Sequence, residues 1–127
     1  MSHRPHLNIA VVDDDESLCR SLGRLLRASG MQPVSYGSAE SFLADSQHAH
    51  FDCLVLDIEL GGMSGLELAR LLNEQGSVVP FLFITAHDDE ASRAMAMGLG
   101  ARAWFRKNDP GADVLDAILR AAGNAAS

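Results

Sequence analysis

Leu7-Asn8-Ile9-Ala10-Val11-Val12-Asp13-Asp14-Asp15 is the stretch that decides the fold: a short apolar run ending on three consecutive carboxylates. A run of this length, rich in β-branched residues and bounded by polar ones, reads as a buried strand. Near-continuous apolar strands of this kind belong to parallel sheets covered on both faces. In such sheets ligands bind in the crevice beyond the carboxyl ends of the strands, and the three aspartates stand at that end.

The pattern repeats along the chain. Residues 32–36 form a second candidate strand, which Pro33 places at an edge or at a strand's first position because proline donates no ladder hydrogen bond. Residues 51–56 form the third, closed by Asp57; residues 79–85 the fourth, ending on Thr85; and residues 101–106 the fifth, followed by Lys107. Helical stretches separate them. Leu18, Leu22, Leu25 and Leu26 share one stripe, with Gly30 available for a left-handed helix end. A short helix over 39–45 follows Ser38 as cap, and Ser64-Gly65-Leu66-Glu67 matches a capping box whose helix carries Leu68, Leu71 and Leu72 to Gly76.

The fourth helix, 90–99, has Asp88 and Asp89 as candidate caps and little large apolar surface, which marks it as the element expected to move or to meet a partner. The fifth follows Asp109-Pro110, an N-cap with proline in the first turn, and is expected to carry Val114, Leu115, Ile118 and Leu119 inward. Five alternations of strand and helix predict an α/β domain, (βα)5, with a doubly wound five-stranded parallel sheet and helices on both faces.

A chain of 127 residues, 47% hydrophobic and 21% charged, suits one domain over 1–127, with flexible ends expected at 1–6 and 123–127. The net charge of −7 with scattered basic residues argues against a nucleic-acid or anionic-membrane surface. With no apolar stretch long enough to span a bilayer and no leader pattern at the start, the expected location is the cytoplasm. Cys19 and Cys53 lack zinc or redox spacing and read as small buried hydrophobes. His3, His6, His48 and His50 show no paired metal spacing and read as exposed, and the methionines read as packing filler.

If all five strands run parallel, their carboxyl ends bring together Asp13, Asp14, Asp57, Thr85 and Lys107. Carboxylates gathered there repel one another and call for cations, one from Lys107 and the rest from a hydrated divalent metal, Mg²⁺ or Mn²⁺. A carboxylate so placed can act as a nucleophile and form an aspartyl phosphate, with Asp57 in that role. Lys107 would pair with a phosphoryl oxygen, and the Thr85 hydroxyl would donate to it. Taken singly, each residue has a plainer reading: Asp15 a helix cap, Asp57 a turn, Thr85 a strand residue, Lys107 a surface lysine, Trp104 a core or edge aromatic. Their shared placement at one end of successive strands carries the joint reading.

These residues, in this order and spacing, resemble the receiver domain of bacterial two-component response regulators over essentially the whole chain. Val11-Val12-Asp13-Asp14 is similar to the family's acidic pair, Leu54-Val55-Leu56-Asp57 to its phosphoacceptor strand and Met63-Ser64-Gly65-Leu66 to its following loop and helix start. Ile84-Thr85-Ala86 is similar to its switch hydroxyl, and Trp104-Phe105-Arg106-Lys107 to its strand with aromatic and lysine. The resemblance implies a flavodoxin-like fold and a signalling module whose chemistry is confined to its own phosphorylation and dephosphorylation. A histidine kinase or phosphotransfer protein would donate a phosphoryl group to Asp57, with the metal held by Asp14, Asp57 and the backbone carbonyl of Glu59, and Asp13 assisting.

It further implies Thr85 and Trp104 as switch residues, Glu59 and His87 beside the path of attacking water, and an output surface on the fourth helix, fifth strand and fifth helix. That surface would control a downstream effector protein or a C-terminal effector domain, and phosphorylation-dependent pairing of two copies is a further implication. One departure is visible: Asn108 stands where the family commonly has proline directly after the lysine, and the proline comes at Pro110.

Two rival readings go with the same residues. Asp13-Asp14-Asp15 also contains the Asp-x-Asp spacing that resembles haloacid-dehalogenase-type phosphatases, with Asp13 as nucleophile and Asp15 as general acid. Against this, such enzymes place a further acidic pair beyond the lysine, where residues 108–112 offer only Asp109. The other rival is a receiver-like binding module that works unphosphorylated.

Overall fold

A computed structural model describes residues 7–45 and 50–126, with side chains described as far as Gly123. The elements in chain order are β1 (Asn8–Val12), α1 (Glu16–Ala28), β2 (Gln32–Tyr36), α2 (Ala39–Ala44), β3 (Cys53–Asp57), α3 (Gly65–Glu74), β4 (Phe81–Thr85), α4 (Glu90–Gly98), β5 (Trp104–Arg106) and α5 (Gly111–Ala126). All strand pairings are parallel and the sheet order is β2-β1-β3-β4-β5. The chain winds outward from β1 to β2, then crosses back to β3 and proceeds the other way. The order therefore reverses between β1 and β3, and the crevice beyond their carboxyl ends is where a doubly wound sheet opens.

Side-chain alternation along each strand divides the apolar residues between two cores. Ala10, Val12, Leu54, Leu56, Phe81 and Phe83 face α2, α3 and α4, whose Phe42, Leu68, Leu72 and Ala96 complete that side. Ile9, Val11, Cys53, Val55, Leu82 and Ile84 face α1 and α5, packing on Leu22, Leu26, Val114 and Ile118. β3 and β4 are buried along their whole length, as a strand covered on both faces requires. β2 is an exposed edge that tolerates Pro33.

Helix starts follow local chemistry. Asp15 accepts from the Ser17 and Leu18 amides at the head of α1, Ser38 from Ser41 at α2, and Ser64 from Glu67 at α3. Gly30, at φ +83°, takes the left-handed turn after α1.

Several boundaries differ from the sequence reading. β4 begins at Phe81 because Pro80 offers only its carbonyl, which accepts from the Leu54 amide. β3 extends to include Asp57, which pairs with Ile84, and does not include Phe51 or Asp52. The regular part of β5 is confined to Trp104–Arg106, although Arg102 N and Ala103 O already bond to β4. Leu119 is 42% exposed rather than inward, one position off the stripe made by Val114, Ile118, Ala121 and Ala122. Asp109 does not cap α5: its carboxylate turns back to the Arg106 amide.

α5 continues to Ala126, so the end expected to be flexible from 123 is helical that far, while 1–6 and Ser127 lie outside the described residues. His3, His6 and His48 also lie outside them; His50 is exposed.

Candidate phosphoacceptor site

The site is assembled by strand ends. Asp13 leaves β1 with its amide bonded to Tyr36 O at 2.9 Å, which ties it to the end of β2. Asp57 is the last residue of β3, and Lys107 follows β5 with its amide bonded to Thr85 O at 2.8 Å. These anchors bring the Lys107 Nζ to 3.1 Å from both Asp13 Oδ1 and Asp57 Oδ2, and to 3.7 Å from Asp15 Oδ2. Asp13 and Asp57 are each 2% exposed, whereas Asp14 opens to solvent. Carboxylate oxygens of Asp13, Asp14 and Asp57 all lie within 4.8 Å of one another.

The remaining bonds show what these carboxylates lack. Asp13 Oδ1 also accepts from the Asp15 amide at 2.9 Å, and Asp57 Oδ1 accepts from the Glu59 amide at 3.1 Å. Asp13 Oδ2 is buried with no hydrogen-bond partner among the described residues. Burial is the largest influence on Asp13 and lifts its pKa from 3.8 to about 6; the Asp15 amide opposes this, and the nearby Asp57 charge adds to it. Burial disfavours the Lys107 charge, but the hydrogen bonds it donates to Asp13 and Asp57, with the charges of those carboxylates, outweigh that and hold the ammonium above its ordinary value.

One ammonium thus faces three clustered carboxylates. A hard divalent cation takes oxygen ligands and tolerates one or two carboxylates with water. The donor set of Asp13, Asp14 and Asp57, with an orphaned buried oxygen among them, fits such an ion.

Around this cluster stand the other residues singled out in the sequence. Thr85 is fully buried; its Oγ1 accepts from the His87 amide at 3.1 Å and donates to the His87 carbonyl at 3.2 Å. His87 Nε2 lies 3.4 Å from Glu59 Oε1, both side chains largely exposed. Trp104 is half-buried against Phe83, ring centroids 6.1 Å apart, and its Nε1 donates to Asp88 Oδ1 at 3.0 Å. Asp88 is therefore not a cap of α4. Asp89 alone does that work, accepting from the Ala91 amide and the Ser92 hydroxyl.

Cys53 is fully buried, but Cys19 is only half-buried and its thiol donates to Asp13 O at 3.5 Å, so it is not the simple core residue expected. The loop after Lys107 contains no cis bond, none occurring among the described residues; Asp109 N closes a turn onto Arg106 O at 3.0 Å.

Gly65 is a residue whose importance the sequence reading missed. A Cβ there would lie 2.0 Å from the Asp57 carbonyl oxygen, so only glycine lets α3 start against the end of β3. The signal was present as a glycine in the first turn of a well-capped helix, a position where glycine's low helix propensity needs a reason.

Residues 9–119 match the family model of the response regulator receiver domain. The chain belongs to that family. Among curated relatives of the receiver, response regulator protein TmoT of Ectopseudomonas mendocina is 36% identical over 93% of this chain and 56% of its own length. Transcriptional regulatory protein FixJ of Azorhizobium caulinodans is 33% identical over 94% of this chain and 57% of its own. The chain thus spans little more than half the length of these relatives.

Solved receivers superpose closely: FixJ-N, at 32% identity, gives a TM-score of 0.83 over 97% of this chain and 96% of that one. Response regulator StyR, at 35% identity, gives 0.86 over 95% of this chain and 61% of that one. The five-stranded parallel sheet is accordingly the flavodoxin-like sheet of the receiver family.

Proposed function

We propose that this receiver is the phosphoacceptor module of a two-component system, taking a phosphoryl group from a phosphohistidine onto Asp57. The observation that carries this reading is the Lys107 Nζ at 3.1 Å from both Asp57 Oδ2 and Asp13 Oδ1, two buried members of an acidic cluster that one ammonium does not neutralise. An Asp57 carboxylate oxygen attacks phosphorus, an O–P bond forms as the donor's N–P bond breaks, and the imidazole leaves with the electron pair.

Lys107 then pairs with a phosphoryl oxygen, and Thr85 donates its hydroxyl proton to another once released from His87. Asp13, Asp14 and Asp57, with the Glu59 carbonyl, are the residues to hold Mg²⁺ or Mn²⁺, which when bound offsets the negative charge arriving with the phosphoryl group. Glu59 and His87, at the mouth of the site, govern the approach of attacking water.

The donor is a histidine kinase or phosphotransfer protein. Output runs through the α4-β5-α5 face, whose α4 buries only Ala96 and leaves Met95 and Met97 half exposed, so its attachment to the core is slight. The longer relatives support a following effector domain or a separate effector partner as the target, with pairing of phosphorylated copies as one route. A cytoplasmic setting accords with a cytoplasmic phosphodonor.

The dehalogenase-type reading assigns Asp15 as general acid, but its Oδ1 is occupied by the first-turn amides of α1, and Asp57 would be left without a task beside Lys107. Intact-mass measurement after incubation with acetyl phosphate and Mg²⁺ tests the proposal. One added phosphoryl group on the parent and none on Asp57→Asn is expected; an adduct retained by Asp57→Asn refutes it.

A further inference from the structure

The two side chains of the proposed switch are both fastened to one dipeptide, His87-Asp88, between β4 and α4. Thr85 holds its hydroxyl on the backbone of His87, giving its proton to the carbonyl and accepting from the amide. The Trp104 indole gives its N–H to Asp88 Oδ1 at 3.0 Å. A hydroxyl has one proton, so Thr85 cannot donate to a phosphoryl oxygen while it donates to His87. The indole has one N–H, so Trp104 cannot leave its present position without giving up Asp88. Because His87 and Asp88 are consecutive, a backbone shift that frees Thr85 also displaces the acceptor of Trp104.

We propose that Asp88 is a positioning residue that holds Trp104 against the β4–α4 loop in the unphosphorylated receiver and lets it go when Thr85 releases His87. The proposal rests on the phosphorylation-switch reading above and adds to it one residue, Asp88. Asp88 touches neither the acceptor nor the phosphoryl group; it acts on the equilibrium between two settings of the loop. A ligand that favours one setting binds more tightly when a bond specific to the other is removed. Removing the Asp88 acceptor therefore raises affinity for a phosphoryl mimic, whereas Asn, whose amide oxygen still accepts from the indole, preserves the restraint.

Trp104 is the only tryptophan in the chain, so its emission reports the restraint directly. The experiment titrates the full chain with beryllofluoride in the presence of Mg²⁺ and follows that emission for the parent, Asp88→Ala and Asp88→Asn. In Asp88→Ala the midpoint is expected to fall about fivefold, the scale of one net hydrogen bond, and the unliganded emission to move part-way toward the bound spectrum. Asp88→Asn is expected to stay within about twofold of the parent.

An unchanged midpoint in Asp88→Ala overturns the proposal. So does an equal fall in Asp88→Asn, which assigns the effect to lost negative charge near an anion site. A parent that shows neither an emission change nor a phosphorylated mass sinks the switch reading and this proposal with it. A parent that responds while Asp88→Ala matches it sinks the proposal alone.

Discussion

The orphaned oxygen of Asp13 makes a measurable claim about stability. Burial raises the folded-state pKa of this carboxyl from 3.8 to about 6, so at neutral pH the ionised group is held where its charge costs more than in the unfolded chain. Between those values the folded chain binds more protons than the unfolded one, and stability declines as pH rises through the interval. Below 3.8 the penalty is absent; above about 6 it is complete, and at about 1.4 kcal/mol per pH unit it amounts to roughly 3 kcal/mol.

Asp13→Asn removes the titration and keeps Oδ1 as acceptor for Lys107 and the Asp15 amide. It also replaces the partnerless Oδ2 by a donor beside the Asp57 carboxylate. In a chelator, denaturant unfolding at about pH 7.5 is expected to show the variant more stable by about 2–3 kcal/mol, with most of that gain lost near pH 4. Saturating Mg²⁺ should narrow the difference by stabilising the parent, by about 1.4 kcal/mol for each tenfold excess over its dissociation constant. A variant no more stable than the parent at pH 7.5, or a gain equal at both pH values, refutes the reasoning.

Gly65→Ala should lower stability by about 1–3 kcal/mol in a thermal melt and reduce the yield of phosphorylated Asp57, because the new Cβ meets the Asp57 carbonyl oxygen at 2.0 Å and must displace it. Burial pushes the Cys53 thiol up to about 12, so a thiol reagent at neutral pH should label Cys53 in a Cys19→Ser variant only on unfolding, while Cys19 in Cys53→Ala reacts in the native protein. Tyr36, the only tyrosine, is carried to about 12 by burial and by its bond to Asp45. Ultraviolet titration of Asp45→Asn should therefore show the phenol ionising at lower pH than in the parent.

How much of this was legible in the sequence depended on whether a residue's partner lay nearby in the chain. Residues 9–12, 53–56 and 81–84 announced themselves because a strand buried on both faces must be apolar throughout, and Asp15, Ser38 and Ser64 because a cap bonds amides two or three residues on. Asp88 and Asp89 were indistinguishable as caps; what separates them is an indole sixteen positions away, which no local pattern predicts. Leu119 failed for a related reason, since which edge of the α5 stripe faces inward depends on how the helix is rolled against the sheet. Gly65 was visible as a glycine but not as a contact, because the oxygen it must avoid belongs to the preceding strand end.

The departure at Asn108 shows how placement of the site lysine can be secured by different local means. Two things fix the Lys107 backbone: its amide bonds to Thr85 O at 2.8 Å, and the turn behind it is closed by Asp109 N on Arg106 O at 3.0 Å. Asp109 also returns its side chain to the same turn, with Oδ2 accepting from the Arg106 amide at 2.8 Å and Oδ1 lying 3.6 Å from the Arg106 guanidinium. The carboxylate read in the sequence as a cap for α5 is thus engaged on the other side of the loop, where it restrains the residue preceding the lysine. A side chain that holds a turn by bonding its own backbone needs no fixed ring in the neighbouring position. Lys107 reaches both Asp13 and Asp57 from that turn, so Asn108 is compatible with the charge geometry on which the proposed phosphoryl acceptance depends.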